Sequence, residues 1–134
     1  MLPEDLPADA PLTWIRYARA DLALAGVPLP ENGMWETLCY HAQQAAEKAI
    51  KAVLLHYHTE FPSIHNIERL VALLPPDLER TGTLSAAGQL TCYAAVMRYR
   101  VSEPLVTEAE YRNAVRLADS VEAWAERVIA ETSA

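Results

Sequence analysis

The sequence predicts an all-α protein, an antiparallel up-down four-helix bundle with a short extra helix between the second and third long helices. Apolar residues recur at intervals of three and four in four long segments, which is the spacing of an amphipathic helix. The nine prolines and four glycines fall mainly in clusters between these segments. The connections are too short to hold other elements, so the four helices are expected to pack as neighbours.

The first two helices are predicted from their apolar faces and their ends. The first runs from about residue 11 to residue 26, with Pro11 suited to a first-turn position and Gly26 at its end. The second begins at Trp35 and has some 24 residues, since its apolar face continues to Tyr57 without a missed turn. This segment carries the strongest helical pattern in the chain.

The remaining helices are predicted mainly from their capping residues. Asn66 is expected to cap the short helix, and Thr83 or Ser85 to open a third long helix that ends near Arg100. The fourth begins at Thr107, where Glu110 completes a capping box, and runs to about residue 131.

Length and composition bound the class of protein. A chain of 134 residues fits one domain, with a core over about 11–131 and residues 1–10 as a loose extension. The net charge of -7 argues against broad binding to duplex DNA. No window has the 18 or so apolar residues of a membrane span, and the acidic, proline-rich start does not resemble a signal peptide.

Cysteine and histidine spacing indicates neither a disulfide nor a metal site. Cys39 and Cys92 both fall in apolar helical patterns, so we expect two buried thiols and a reducing, cytoplasmic compartment. His56 and His58 are two residues apart and point to different sides of a helix. No metal and no cofactor are therefore expected.

One segment resembles a known family. Residues 39–52, CYHAQQAAEKAIKA, closely resemble the second helix of HEPN domains of the stand-alone prokaryotic branch. Trp14 with the ADL at 20–22 is similar to the family's first helix, and FPSIHNI at 61–67 to its turn of the form FPxxHDL. Arg98-Tyr99 ends the third helix where the family has RYP. The resemblance covers residues 12–130.

The resemblance implies a four-helix bundle, often dimeric, that binds a nucleotide or supports a nucleotidyltransferase partner, in a toxin-antitoxin-like pair. Two residues depart from the family pattern, Asn66 in place of Asp and Arg100 in place of Pro. The ribonuclease branch of the family has Arg followed by His after four to six residues, and no arginine of this chain has a histidine at that spacing. A non-catalytic module is therefore the first hypothesis. A ribonuclease with an atypical active site and a plain helical oligomer are the alternatives.

A polar stripe on the second helix is the candidate ligand site. His41, Gln44, Lys48 and Lys51 recur at three, four and three, which places them on one side of the helix. Such a stripe is also what a solvated face looks like. Residues 83–106, however, carry two arginines and one glutamate, a local positive balance on an acidic chain. If the third helix packs beside the second, Arg98 and Arg100 at its end add two cations suited to phosphate. Tyr99 between them either stacks on a base or closes the end of the bundle.

Three polar residues are expected to be structural. Asp21 lies on or beside the apolar face of the first helix, where it needs a partner such as Lys48, Arg98 or a buried hydroxyl. His65 is expected to order the turn before the short helix, and Asn66 to cap it.

A homodimer is also expected, because several apolar residues lie beyond the core-facing stripes of their helices. These residues are Leu24, Leu55, Leu117 and Trp124.

Overall fold

The computed structural model describes residues 10–94 and 106–132, and these form an all-helical bundle. Its helices are α1 (Ala10–Ala25), α2 (Trp35–His56), the short α3 (Ile67–Ala72), α4 (Gly82–Ala86), which continues as a 3₁₀ helix (Ala87–Ala94), and α5 (Glu108–Glu131). The predicted all-α bundle and the short helix between its second and third long segments are confirmed. No helix of the described residues is long and apolar enough to cross a membrane.

Contacts between side chains and backbone show that α1 and α5 run in opposite directions. The Tyr111 hydroxyl at the start of α5 donates to the carbonyl of Ala25 at the end of α1, at 2.6 Å. Further along, Arg19 of α1 forms a salt bridge with Glu126 near the end of α5.

The helices α2 and α5 run in the same direction, as the up-down order requires. The Glu36 carboxylate in the first turn of α2 accepts from the backbone N–H of Val106, just before α5, at 3.3 Å. At the other end of the bundle, His56 of α2 hydrogen-bonds the Thr132 hydroxyl after α5, at 2.9 Å. The central helix α2 packs against α1, α5 and the 3₁₀ helix.

Local sequence chemistry explains the helix ends. The Asn66 side chain caps α3 by accepting from the backbone N–H of Arg69. The predicted capping box of α5 is present, with Thr107 and Glu110 each bonding the other's backbone N–H. The third long segment begins two to four residues earlier than expected, because Thr81 rather than Thr83 or Ser85 is its N-cap.

Small residues of α2 allow its neighbours to approach closely. The contact distance between two helices depends on the side chains between them, and alanine permits a close approach. Five alanines of α2 are completely buried: Ala42, Ala45, Ala46, Ala49 and Ala52.

The prediction of two buried thiols is confirmed for Cys39 and wrong for Cys92. Cys39 is a buried thiol and Cys92 an exposed one. The 3₁₀ helix explains the difference, because its three-residue repeat buries Leu90 and Tyr93 and turns Cys92 outward. Burial raises the pKa of Cys39 to about 12, so this thiol stays protonated near neutral pH.

Three of the four apolar residues expected to lie outside the core are in it. Leu55, Leu117 and Trp124 are buried within the chain, and the Trp124 indole also donates to a backbone carbonyl at 3.3 Å. Leu24 alone of the four is exposed. The apolar faces of α2 and α5 are wider than one stripe because these helices contact several neighbours each.

Candidate functional site

The partly exposed polar surface between α1 and α2 centres on one carboxylate. Asp21 of α1 binds two α2 residues with its two oxygens: Oδ2 accepts from the Lys48 ammonium at 2.5 Å, and Oδ1 lies 3.0 Å from Nδ1 of His41. The Asp21 side chain is 11% exposed, whereas those of His41 and Lys48 are 28% and 27% exposed. We call these three residues the outer cluster. It satisfies a nearly buried acid and leaves two basic groups open to solvent.

A second polar cluster lies between α2 and the turn before α3, with three buried members on α2 and the exposed His65 in the turn. Glu47 accepts from the Lys51 ammonium and from the Gln43 amide, and its Oε1 also lies near Nδ1 of His65, each at 2.9 Å. The Gln43 amide also reaches the backbone carbonyl of His65 at 3.3 Å. Gln43, Glu47, Lys51 and His65 form what we call the inner cluster. Its contacts fix the turn before α3 against α2.

Aromatic rings cover the ammonium of the inner cluster. The Lys51 Nζ lies 5.9 Å from the Trp14 ring centroid and 5.4 Å from that of Phe61, within range for cation–π attraction. The Lys51 side chain is only 8% exposed. This lysine therefore has an anionic partner, two aromatic neighbours and little access to solvent.

Two residues lie next to the clusters. The Gln44 side-chain amide donates to the side-chain oxygen Oε1 of Gln43 at 2.7 Å, which connects the outer face of α2 with the inner cluster. The Tyr40 ring packs edge-on against the His41 imidazole, with centroids 5.5 Å apart. The imidazole is thus held from two sides, by this ring and by Asp21.

The predicted stripe on α2 divides into these two clusters. His41 and Lys48 meet at Asp21, while Lys51 is separated from them by its pairing with Glu47. Of the partners expected for Asp21, Lys48 is the observed one. The other candidate ligand residues, Arg98, Tyr99 and Arg100, lie outside the described residues.

Sequence reasoning did not single out Gln43 or the aromatic cover of Lys51. A signal for the inner cluster is present, since Gln43, Glu47 and Lys51 are polar residues spaced four apart along the helix. That spacing places them in one row of the helix. The covering rings come from α1 and from the α2–α3 turn, which the spacing within α2 does not reveal.

The described residues provide no cluster for a metal ion. Within 10–94 and 106–132, no group of three or more His, Cys, Asp or Glu side chains is arranged to hold one. The basic groups of the outer cluster instead suit an anion that accepts hydrogen bonds.

Fold and site together define a small helical bundle whose second helix presents a carboxylate-held lysine and histidine. The family model of the HEPN domain matches residues 12–128, and the chain therefore belongs to the HEPN family. No curated protein matches the chain.

Two solved structures agree with this assignment. The TT1696 protein of Thermus thermophilus is 30% identical, with a TM-score of 0.77, and the match covers 89% of this chain and 98% of that one. ST0689, described as an archaeal HEPN homologue, is 26% identical with a TM-score of 0.70, over 89% and 97% of the two chains.

Proposed function

We propose that this HEPN domain is a non-catalytic nucleotide- or RNA-binding module that acts in the cytoplasm with a nucleotidyltransferase partner, in a toxin-antitoxin-like pair. The observation that supports it most is the outer cluster, where Lys48 and His41 lie side by side at a partly exposed surface. HEPN membership supports the nucleotide-related part of the proposal.

The outer cluster has hydrogen-bonding capacity to spare for a phosphate. A lysine ammonium has three N–H donors, and Asp21 accepts from Lys48 through one oxygen at 2.5 Å. Gln44 lies on the same side of α2, three residues after His41 and four before Lys48. Its amide is suited to a base or a ribose hydroxyl.

The inner cluster is less suited to an anion, although it contains Lys51. Its ammonium faces the Glu47 carboxylate at 2.9 Å and is covered by two aromatic rings. Binding a phosphate there requires that this buried pair be broken, which is costly. Lys48 is therefore the cation of α2 that we assign to the ligand.

Calorimetric titration with ATP and with a short unstructured RNA tests the proposal. We expect weak binding that declines as salt is added, because the attraction is to phosphate. Lys48→Ala should cost about 1–3 kcal/mol of binding free energy, the range for charge-assisted hydrogen bonds. Arg98→Ala should cost a similar amount if the predicted contribution of the third helix is correct.

Arg112→Ala is the matched control for charge. Arg112 is an exposed cation of α5 that pairs with Glu108 four residues earlier. Removing it changes the net charge as Lys48→Ala does but leaves the outer cluster intact. Absence of heat with both ligands, or equal losses in the two variants, would contradict the proposal.

The partner is tested in the genome and then with purified proteins. An adjacent reading frame with the Gly-Ser and paired-Asp pattern of nucleotidyltransferases is the expected neighbour. Its product should co-purify with this chain when the two are expressed together. A neighbour of another kind, or failure of the two purified proteins to associate, would remove this part of the proposal.

The homodimer is proposed for the outer side of α1. Tyr17 and Leu24 are seven residues apart, on one side of α1, and each is at least half exposed, and exposed apolar side chains of this kind mark contacts. Light scattering should give twice the 14.9 kDa of one chain. Tyr17→Glu combined with Leu24→Glu should return the mass to that of a monomer, whereas a wild-type mass of one chain at all concentrations excludes the dimer.

One observation favours a ribonuclease as the second candidate function. Asp21 holds His41 through Nδ1, an arrangement that also orients a histidine acting as a general base. With a chelator present, we expect unstructured RNA to remain intact. Cleavage by the purified wild type that is lost in His41→Asn would replace the non-catalytic proposal with this one.

A further inference from the structure

The outer cluster determines which nitrogen of His41 is available to a ligand. Nδ1 lies 3.0 Å from Oδ1 of Asp21, and a carboxylate only accepts hydrogen bonds. Nδ1 therefore carries a proton, and in the neutral imidazole Nε2 is left with a lone pair. Within the part of the chain that the structure describes, the polar contact of the His41 ring is the one to Asp21.

The protonation state of Nε2 decides what the ring binds. A neutral ring presents a lone pair, which accepts from a ribose hydroxyl but repels a phosphate oxygen. A protonated ring presents an N–H, which donates to a phosphate oxygen and adds a positive charge. A phosphate bound at His41 therefore requires the imidazolium.

The charges around the ring favour a phosphate oxygen over a hydroxyl. Asp21 of α1 faces one edge of the imidazole, and on α2 the uncharged Tyr40 ring packs against it. Lys48 shares the same carboxylate through its other oxygen. With a protonated His41, the three charged groups sum to one positive charge, which a phosphate oxygen can balance.

We propose that His41 binds a phosphate oxygen of the ligand through a protonated Nε2, so that ligand binding takes up a proton. This inference rests on the proposed nucleotide or RNA site at the outer cluster. The ligand class is an anionic phosphate, and Asp21 acts as a positioning residue through His41 and Lys48. Binding weakens as pH rises, because the imidazolium that the phosphate requires is lost.

The experiment measures proton uptake by calorimetry in buffers of different ionisation enthalpy. The probe is a short oligouridylate without a terminal phosphate, because its phosphodiesters stay ionised over the range in which histidine titrates. Between about pH 6 and about pH 8 we expect affinity to fall on the order of tenfold. Proton uptake should approach about one per site where the free ring is mostly neutral, and it should disappear at low pH, where the free ring is already protonated. ATP serves as a second probe. Because its own phosphates also take up protons, the uptake measured with His41→Gln is subtracted from that measured with the wild type.

His41→Gln is the informative variant, and His56→Gln is its control. Gln keeps a donor at position 41 but has no proton to gain, so oligouridylate should still bind through Lys48, more weakly and without pH dependence. His56 hydrogen-bonds Thr132 at the far end of α2. Its replacement should leave the pH dependence of affinity and the proton uptake as in the wild type.

The outcomes separate this inference from the proposed function. Absence of binding to the wild type at every pH would overturn the proposed function. Binding without proton uptake, or with the same pH dependence in His41→Gln as in the wild type, would overturn the inference alone. In that case His41 would contact a hydroxyl of the ligand, or no part of it.

Discussion

Replacing Glu122 by Gln should stabilise the protein above neutral pH. The Glu122 side chain on α5 is 8% exposed, and its Oε2 is buried without a hydrogen-bond partner among the described residues. Arg19 lies 3.8 Å from that oxygen but directs its main contact to Glu126. Burial, followed by the hydrogen bond and charge of Glu126, raises the pKa of Glu122 to about 7.

The magnitude follows from linkage between protonation and folding. The pKa of this acid rises from 4.5 to about 7 on folding. As pH is raised, the unfolded state therefore loses its proton before the folded state does, which favours unfolding. Stability therefore falls as pH rises from 4.5 to about 7 and then levels off. The full effect is about 3 kcal/mol, and relaxation around the carboxylate reduces it, so we expect about 1–3 kcal/mol. The hydrogen bond with Glu122, followed by the hydrogen bond and charge of Arg19, lowers the pKa of Glu126, so its contribution lies below that window.

Urea unfolding followed by circular dichroism measures the effect at about pH 5 and about pH 8. The free energy of unfolding of Glu122→Gln should exceed that of the wild type by about 1–3 kcal/mol at the higher pH and by less than about 1 kcal/mol at the lower pH. Glu108→Gln, at an exposed site of the same helix, is the control and should differ little between the two. A Glu122→Gln effect that is equal at both values, or destabilising at the higher one, would refute the reasoning.

Two further predictions concern stability. Lys51→Ala should lower the free energy of unfolding by about 3 kcal/mol, because it leaves the buried Glu47 carboxylate without its cation. Arg112→Ala is the control: it breaks an exposed pair and should lower the free energy of unfolding by less than about 0.5 kcal/mol. Thr107→Ala removes half of the α5 capping box and should cost about 1 kcal/mol in the same urea titration, while Thr107→Ser should restore most of it. Equal losses for the two cation variants, or none for the cap variant, would contradict these assignments.

Local chemistry made most of the fold predictable from sequence. Helix ends depend on residues three or four positions apart, so the caps at Asn66 and Thr107 could be found without tertiary information. The need of Asp21 for a cation was predictable for a similar reason, because its place on the apolar side of a helix makes an unpaired charge costly. Lys48 supplies that cation.

Contacts distant in sequence determined what could not be predicted. Lys48 and Lys51 are three residues apart and look equivalent in a helical projection. Their environments differ because Trp14 and Phe61, from two other parts of the chain, cover only Lys51. Cys92 was predicted wrongly for a different, local reason, since its exposure depends on a change from α-helical to 3₁₀ geometry.

The two clusters of α2 use similar groups for different purposes because their lysines differ in access to solvent. The Lys48 side chain is 27% exposed and that of Lys51 only 8%, although His65 of the inner cluster is itself 57% exposed. Each has one carboxylate that faces a lysine and a histidine, Glu47 in the inner cluster and Asp21 in the outer one. In the inner cluster the lysine is covered, so its charge is committed to holding the turn before α3. In the outer cluster the carboxylate is nearly buried, while the lysine and the histidine remain open. In the function that we propose, an anion therefore binds the outer cluster without displacing the carboxylate, and the proton of His41 is the first group that it affects.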